Sequence, residues 1–162
     1  MVNRHKPHIY VIPEDDANRQ IAVGFELDYR LRSRVLQVMK PAGGWRVVID
    51  MIIHEYIVML QSNLNANVVG IIDCDGHEAR IAEEFIRIPE NLRDRVFILG
   101  TLREPENFKE SVRLSFEKIG RKLADECFCD EFEIWNHEDL IHIKDEVRRA
   151  KSTLRPILFG HI

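Results

Sequence analysis

A chain of 162 residues is long enough for one well-buried core, and its 45% apolar and 31% charged residues are the proportions of an ordinary globular domain. The formal net charge of −4 argues against a solitary nucleic-acid binder working through its bulk field; such a protein would need metal ions to bridge acid to phosphate, or a partner supplying positive charge. No apolar run reaches the length of a membrane span and the opening MVNRHKPH lacks the apolar stretch of a signal peptide, so the reading is a cytoplasmic protein.

The first element is HIYVIP (8–13), a buried strand rich in β-branched and aromatic residues. It ends in three consecutive acids, Glu14, Asp15 and Asp16, and from about Asp16 the residues Ile21, Ala22, Phe25 and Leu27 follow a helical period. RVLQVM (34–39) predicts a second strand, broken by KPAGGW, and Val48, Ile52, Tyr56, Met59 and Leu60 mark a strong helix from Trp45 to about Asn63. NVVGIID (67–73) is a third, continuously apolar strand, and GHEARIAEEFIRI (76–88) a short helix stopped by Pro89. RVFILG (95–100) predicts a fourth strand, and Pro105 suits the first turn of a long helix through about Glu126. DECFCDEFEIWN (125–136) resists assignment and reads as a loop crossing one edge. Asn136, with Asp139 three residues on, looks like the cap of a helix HEDLIHIKDEVRRAK, and RPILF (155–159) like a short edge strand. Strands alternating with helices mean βαβ units, so the fold class is α/β, with a mostly parallel sheet and helices on both faces. The chain reads as one domain, 1–162, with its motifs in about 8–125 and a C-terminal helix and edge strand in 126–162.

In an open parallel sheet, ligands bind outside the carboxyl ends of the strands. The acids collect there: Glu14 to Asp16 after the first strand, Asp73 and Asp75 after the third, and Glu104 and Glu106 after the fourth. Gly43 and Gly44, after the second, open a helix and offer backbone N–H groups as an anion cradle. Carboxylates at three strand ends repel one another unless something neutralises them, and a hard divalent cation, Mg²⁺ or Mn²⁺, is the usual neutraliser. Any single acid at a helix start also suits capping, which is the plainer reading for Asp15 and Asp16, and for Glu106 taken alone. Asp73-Cys-Asp75-Gly, with two carboxylates at the mouth of an apolar strand, favours metal or phosphate chemistry. The cysteines favour neither a disulfide nor a zinc site: Cys127 and Cys129 lie one residue apart, and Cys74 has no partner.

The order of these four pieces resembles a Toprim domain, the Rossmann-like metal-binding fold of topoisomerases and primases, and more closely the branch found in OLD-family nucleases and small stand-alone Toprim-like proteins. The resemblance covers about residues 8–125. It rests on Glu14 after the first strand, Gly43-Gly44 after the second, Asp73 and Asp75 after the third, and EPENF (104–108) after the fourth. It implies divalent-metal-dependent phosphoryl transfer or nuclease chemistry on DNA or RNA, Glu14, Asp73 and Asp75 being the catalytic and metal-holding residues. Asp15 stands where the family usually has glycine, no tyrosine is placed as in topoisomerases, and the ATPase that accompanies OLD nucleases is absent, so a protein partner is implied.

On that resemblance, Glu14 and Asp73 hold one ion and Asp75, with Glu104 or Glu106, a second, in the arrangement that stabilises attacking and leaving oxygens together. Lys40, Arg46, Arg80 and Arg103 follow strand ends on the same side and are candidate phosphate contacts, each weighed against an ordinary solvated charge. The denser YRLRSR (29–34) precedes the second strand and so falls at the opposite edge. Two rival readings exist: a receiver-like signalling domain, with Asp73 as phospho-acceptor and Thr101 after the fourth strand, and a non-catalytic α/β interaction module. A receiver needs a lysine after a fifth strand, where this chain has Gly160, His161 and Ile162.

Overall fold

A computed structural model describes residues 5–160. Four strands, β1 (His8–Pro13), β2 (Leu36–Val38), β3 (Ala66–Asp73) and β4 (Val96–Thr101), form one sheet in the order β2-β1-β3-β4. Every pairing is parallel, and β1 registers Val11 with Val69 and Pro13 with Ile71. The strand order reverses between β1 and β3, which makes the gap at their carboxyl ends the topological switch point of an α/β sheet.

Alternation along the strands sends neighbouring side chains to opposite faces. Ile9, Val11, Val69, Ile71, Phe97 and Leu99 meet α1 (Asp16–Glu26), α6 (Phe116–Cys129) and α7 (Lys144–Phe159) through Ala22, Cys127, Ala150 and Leu154. On the other face Ile12, Val68, Ile72 and Ile98 meet α2 (Trp45–Met51), α3 (Ile57–Ser62) and α4 (Arg80–Phe85) through Val48, Ile49, Leu60 and Ile81. Gly70 belongs to this second face, where a Cβ would already stand 3.0 Å from both Ile52 and Val48 side chains. Helices therefore cover both faces, as the alternation of strands and helices requires.

Several boundaries differ from the sequence reading, each for a physical reason. The second strand is cut to three residues because Arg34 takes a left-handed backbone, φ 57°, and Val35 turns back to the Arg32 carbonyl. The helix starting at Trp45 carries a π-helical turn, Ile52–Tyr56, between α2 and α3. The segment after β3 is helical only over α4. The long helix expected over 105–126 is two: α5 (Pro105–Val112) ends at left-handed Arg113, φ 56°, and Ser115 caps α6 by accepting the Lys118 N–H.

The stretch 125–136 is organised by one buried side chain. Helix α6 runs to Cys129, and the following loop folds back so that the Ile134 N–H donates to both carboxylate oxygens of Glu126, at 2.7 and 3.0 Å. Asn136 caps no helix there: α7 begins at Lys144, after a 3₁₀ turn Ile141–Ile143.

The expected edge strand at 155–159 is the end of α7. Val147, Ala150, Leu154 and Leu158 recur at helical spacing and are buried, and that burial outweighs the hydrogen bond lost at Pro156. This helix also seals the outer edge of β4. Glu146 accepts the Ile98 N–H at 3.2 Å, and Arg149 donates to the Val96 carbonyl at 2.6 Å while its guanidinium lies over Phe97 and Phe85. Two of the groups that would pair with a fifth strand, the Ile98 N–H and the Val96 carbonyl, are thus taken by side chains.

Helices α1 and α6 cross closely. A Cβ on Gly24 would collide with the Glu117 carbonyl, and one on Gly120 with that of Ile21. The contact fixes α1, and with it the residues that α1 presents at the switch point.

Candidate metal centre

The three acids after β1 have three different roles. Asp15 is the N-cap of α1, its Oδ1 accepting the Asn18 N–H at 2.9 Å. Asp16 is exposed and pairs with Arg19 and Gln20 of its own helix. Glu14 reaches sideways to the end of the neighbouring strand, where its Oε2 accepts the Asp73 N–H at 2.6 Å. The first and third strand ends are therefore joined by a carboxylate, and Glu14 and Asp73 stand together despite lying 59 positions apart.

Asp73 is only 7% exposed. Its Oδ1 accepts from the side-chain amide of Asn18 at 2.9 Å, and Oδ2 has no hydrogen-bond partner among the described residues. Asn18 is itself buried, held one turn into α1 by the Asp15 cap. Burial pushes the Asp73 carboxyl up to about 7, against the pull of the Asn18 bond, and the charges of Glu14, Asp15 and Asp75 push it further in the same direction. Glu14 is also raised, first by burial; the Asp73 N–H draws it down, Asp15 and Asp75 raise it, and the Trp45 backbone N–H draws it down again. No Lys or Arg pairs with either carboxylate among the described residues.

Asp75 stands in the turn after β3 with a left-handed backbone, φ 50°, followed by Gly76 at φ 79°. Its carboxylate does not join the other two in a compact cluster. Arg80 takes it at 2.7 Å, also donates to the Asp73 carbonyl at 3.1 Å, and lays its guanidinium over the Trp45 ring at 4.5 Å. Arg80 is thus a fixed positive charge at the rim rather than a free phosphate contact. The one trio of close metal-type donors among the described residues is His137, Glu138 and Asp139. Its members are otherwise engaged: Arg103 holds Asp139 at 2.7 and 2.8 Å and Glu138 at 2.8 Å, and the His137 ring bonds Ser111 and the Asp139 N–H.

The remaining candidates fall into two groups, tied and free. Arg103, expected at phosphate, is bound into that Asp139 clamp. Glu104 and Glu106 are exposed at the start of α5, with no ion pair or hydrogen bond to the pair across the sheet among the described residues. The Gly43 N–H donates to the Glu14 carbonyl at 2.9 Å, which ties the loop after β2 to β1 instead of leaving a donor for an anion. Space over both glycine turns is open: a Cβ on Gly43 or on Gly76 would meet nothing within 4 Å. Lys40 and Arg46 are exposed and unpaired among the described residues, Arg46 lying over Trp45 at 5.0 Å. His77, near the turn, bonds exposed Glu83 at 2.8 Å.

Two residues escaped the sequence reading. Asn18 carries a signal in DDAN, three residues after its cap, but an asparagine in a helix first turn ordinarily reads as solvated. Trp45 was visible as a helix start and not as part of a site. For the receiver-like reading, Asp73, Thr101 and the acidic pair are in place, but the Thr101 hydroxyl donates to the Arg103 carbonyl at 2.6 Å, and α7 occupies the edge where the fifth strand would lie. Compared with known proteins, the chain matches no family model, no curated relative and no solved structure.

Proposed function

We propose that the carboxyl edge between β1 and β3 is a divalent-metal-dependent phosphoryl-transfer site of nuclease type acting on nucleic acid. One observation carries this reading: at the switch point the half-buried Glu14 carboxylate sits on the backbone N–H of Asp73, beside the buried Asp73 carboxyl on which its charge acts, and no cation of the described residues pairs with either. Buried acids left without a counter-charge are costly, and oxygen donors of this kind suit Mg²⁺ or Mn²⁺.

Glu14 and Asp73 would hold the ion, and Asn18 fixes Asp73 by one oxygen so that Oδ2 is the acceptor left over. When bound, such an ion neutralises the pair, polarises a phosphoryl oxygen and lowers the pKa of a coordinated water. Asp75 is committed to Arg80, so the site is read as holding one ion beside a fixed guanidinium, in place of the two ions that the resemblance implies. Arg80, steadied by Asp75 and Trp45, supplies charge where negative charge develops on the transferring phosphoryl group. Lys40 and Arg46, exposed and without an ion pair among the described residues, would hold flanking phosphates.

The test joins binding to chemistry. Mn²⁺ should raise the melting temperature of the wild type and leave Glu14→Gln nearly unmoved, and the same substitution should abolish metal-dependent cleavage of DNA or RNA oligonucleotides. Equal stabilisation of both proteins by Mn²⁺ would remove Glu14 from the site. An unchanged melt with and without metal would favour the non-catalytic interaction module, in which Glu14 serves only to tie two strand ends together.

A further inference from the structure

The rim of the acid pair carries an unusual side chain for a phosphoryl-transfer centre. Trp45 opens α2, its backbone N–H lies against the Glu14 carboxylate, and its ring is only partly buried. Two guanidiniums lie over that ring, Arg80 at 4.5 Å and Arg46 at 5.0 Å. They are not equivalent. Arg80 is anchored by Asp75 and the Asp73 carbonyl, whereas Arg46 is exposed and has no carboxylate partner among the described residues. Lys40, in the loop between β2 and α2, is also exposed and unpaired among the described residues. Several other arginines among the described residues do hold carboxylates, including Arg19, Arg30, Arg87, Arg103, Arg121 and Arg149. Between Lys40 and Arg46 lies the Gly43-Gly44 turn, with open space where the Gly43 side chain would be.

We infer that Trp45 is a base-stacking subsite, and that with Lys40 and Arg46 it selects an unpaired nucleotide as the substrate element next to Glu14 and Asp73. The inference rests on the proposed nucleic-acid function and adds its substrate class: single-stranded segments in preference to closed duplex. Indole and guanidinium planes both stack on nucleobases, and the free cations suit the phosphates on either side of a stacked base. In a duplex the base faces are already stacked on their neighbours, and a lone tryptophan at a sheet edge cannot reach them. Arg46 can leave the ring for a phosphate without losing an ion pair to any described residue, while Arg80 stays anchored by Asp75 and the Asp73 carbonyl.

The experiment measures binding of dye-labelled oligonucleotides by fluorescence anisotropy in EDTA, where no metal-dependent cleavage occurs. Three probes of equal length are compared: a single-stranded oligonucleotide, its blunt duplex, and an abasic strand with phosphates but no bases. Wild type should prefer the single strand to both others. Trp45→Leu, which keeps apolar volume against the core, should weaken the single strand about ten- to hundredfold and leave the abasic strand unchanged, and Trp45→Phe should retain most of the affinity. Lys40→Ala and Arg46→Ala should each lower the salt dependence for all strands, by roughly 0.7 in the slope of log K against log salt. Equal weakening of base-bearing and abasic strands by Trp45→Leu, no weakening of either, or no binding of any strand to the wild type would each overturn the inference. A Mn²⁺ melt on the same Trp45→Leu protein separates the two readings: an intact Mn²⁺ response without Trp45-dependent binding defeats the stacking subsite and leaves the metal centre standing.

Discussion

Replacing Asp73 by Asn removes a charge and keeps the shape. The Asn side-chain oxygen can still accept from Asn18, and the backbone N–H at position 73 still donates to Glu14. In the metal-free protein the wild-type carboxyl is held up at about 7, by burial first and then by Glu14, Asp15 and Asp75. The sign follows from linkage. A carboxyl whose folded pKa lies above its ordinary value of 3.8 binds its proton more tightly in the folded state, so folding loses stability as pH rises from about 4 to about 7. The full displacement corresponds to on the order of 4 kcal/mol. Between pH 5 and pH 8 the share lost is about 2–3 kcal/mol, because part of the penalty is already present at pH 5. Asp73→Asn should therefore melt higher than wild type in EDTA at pH 8, and its advantage should shrink on going to pH 5. For a chain of this size the change in advantage should be roughly 5–10 °C. Adding Mn²⁺ at pH 8 should reverse the order, since the wild type gains the ion and the variant does not. Differential scanning calorimetry at both pH values, with and without Mn²⁺, measures all four quantities. An advantage of Asp73→Asn that is the same at pH 5 and pH 8, or a variant less stable than wild type at pH 8 in EDTA, would refute the idea that this carboxylate is stored under strain of charge.

The other expected outcomes are simpler. Asp15→Ala removes the cap of α1 and should cost about 1 kcal/mol at pH 5, with a smaller loss at pH 8, where it also relieves repulsion on Glu14 and Asp73; Asp16→Ala, at an exposed pair, should leave the same melts nearly unmoved. Arg103→Ala leaves the fully buried Asp139 without its bidentate partner and should destabilise the protein at pH 7, lowering the urea midpoint. Burial alone would raise Asp139, but the Arg103 hydrogen bonds and charge bring it below its ordinary value, so this loss should fade as acid protonates Asp139; urea titrations at pH 7 and pH 3 test it. Gly120→Ala drives a methyl group into the Ile21 carbonyl and should destabilise by about 1–3 kcal/mol or force α6 away from α1; a loss below about 0.5 kcal/mol would mean that the crossing is slack.

What the sequence made legible follows from the ranges of the forces involved. The strands and their parallel order came from local periodicity and from burial on two faces, both written in consecutive residues. The placement of Glu14 beside the end of β3 was legible because a strand end aims its last side chains along the sheet edge. Arg80 and Arg103 were misjudged as free cations because their partners, Asp75 and Asp139, are set by a left-handed turn and by a loop 36 positions away. The last strand was misread because Pro156 and a β-rich pentapeptide outweighed, in a short window, the longer period of Val147, Ala150, Leu154 and Leu158. Nothing in 125–136 announced that one glutamate would be buried and the loop wound around it.

The sealed edge of β4 has a consequence for motion. The Ile98 amide is bonded outward to a side chain of α7, not to another strand, so its hydrogen exchange requires only that α7 lift away. The Ile98 amide therefore times a partial opening of the C-terminal helix, while amides of β3, bonded between strands on both sides, exchange only with the unfolding of the sheet. A chain cut short before Glu146 would leave the Ile98 N–H and the Val96 carbonyl bare, and an uncovered edge strand of apolar residues is a template for pairing with a second chain. Dimers or fibrils formed through β4 are the state such a shortened protein should reach, and the intact helix is what prevents it.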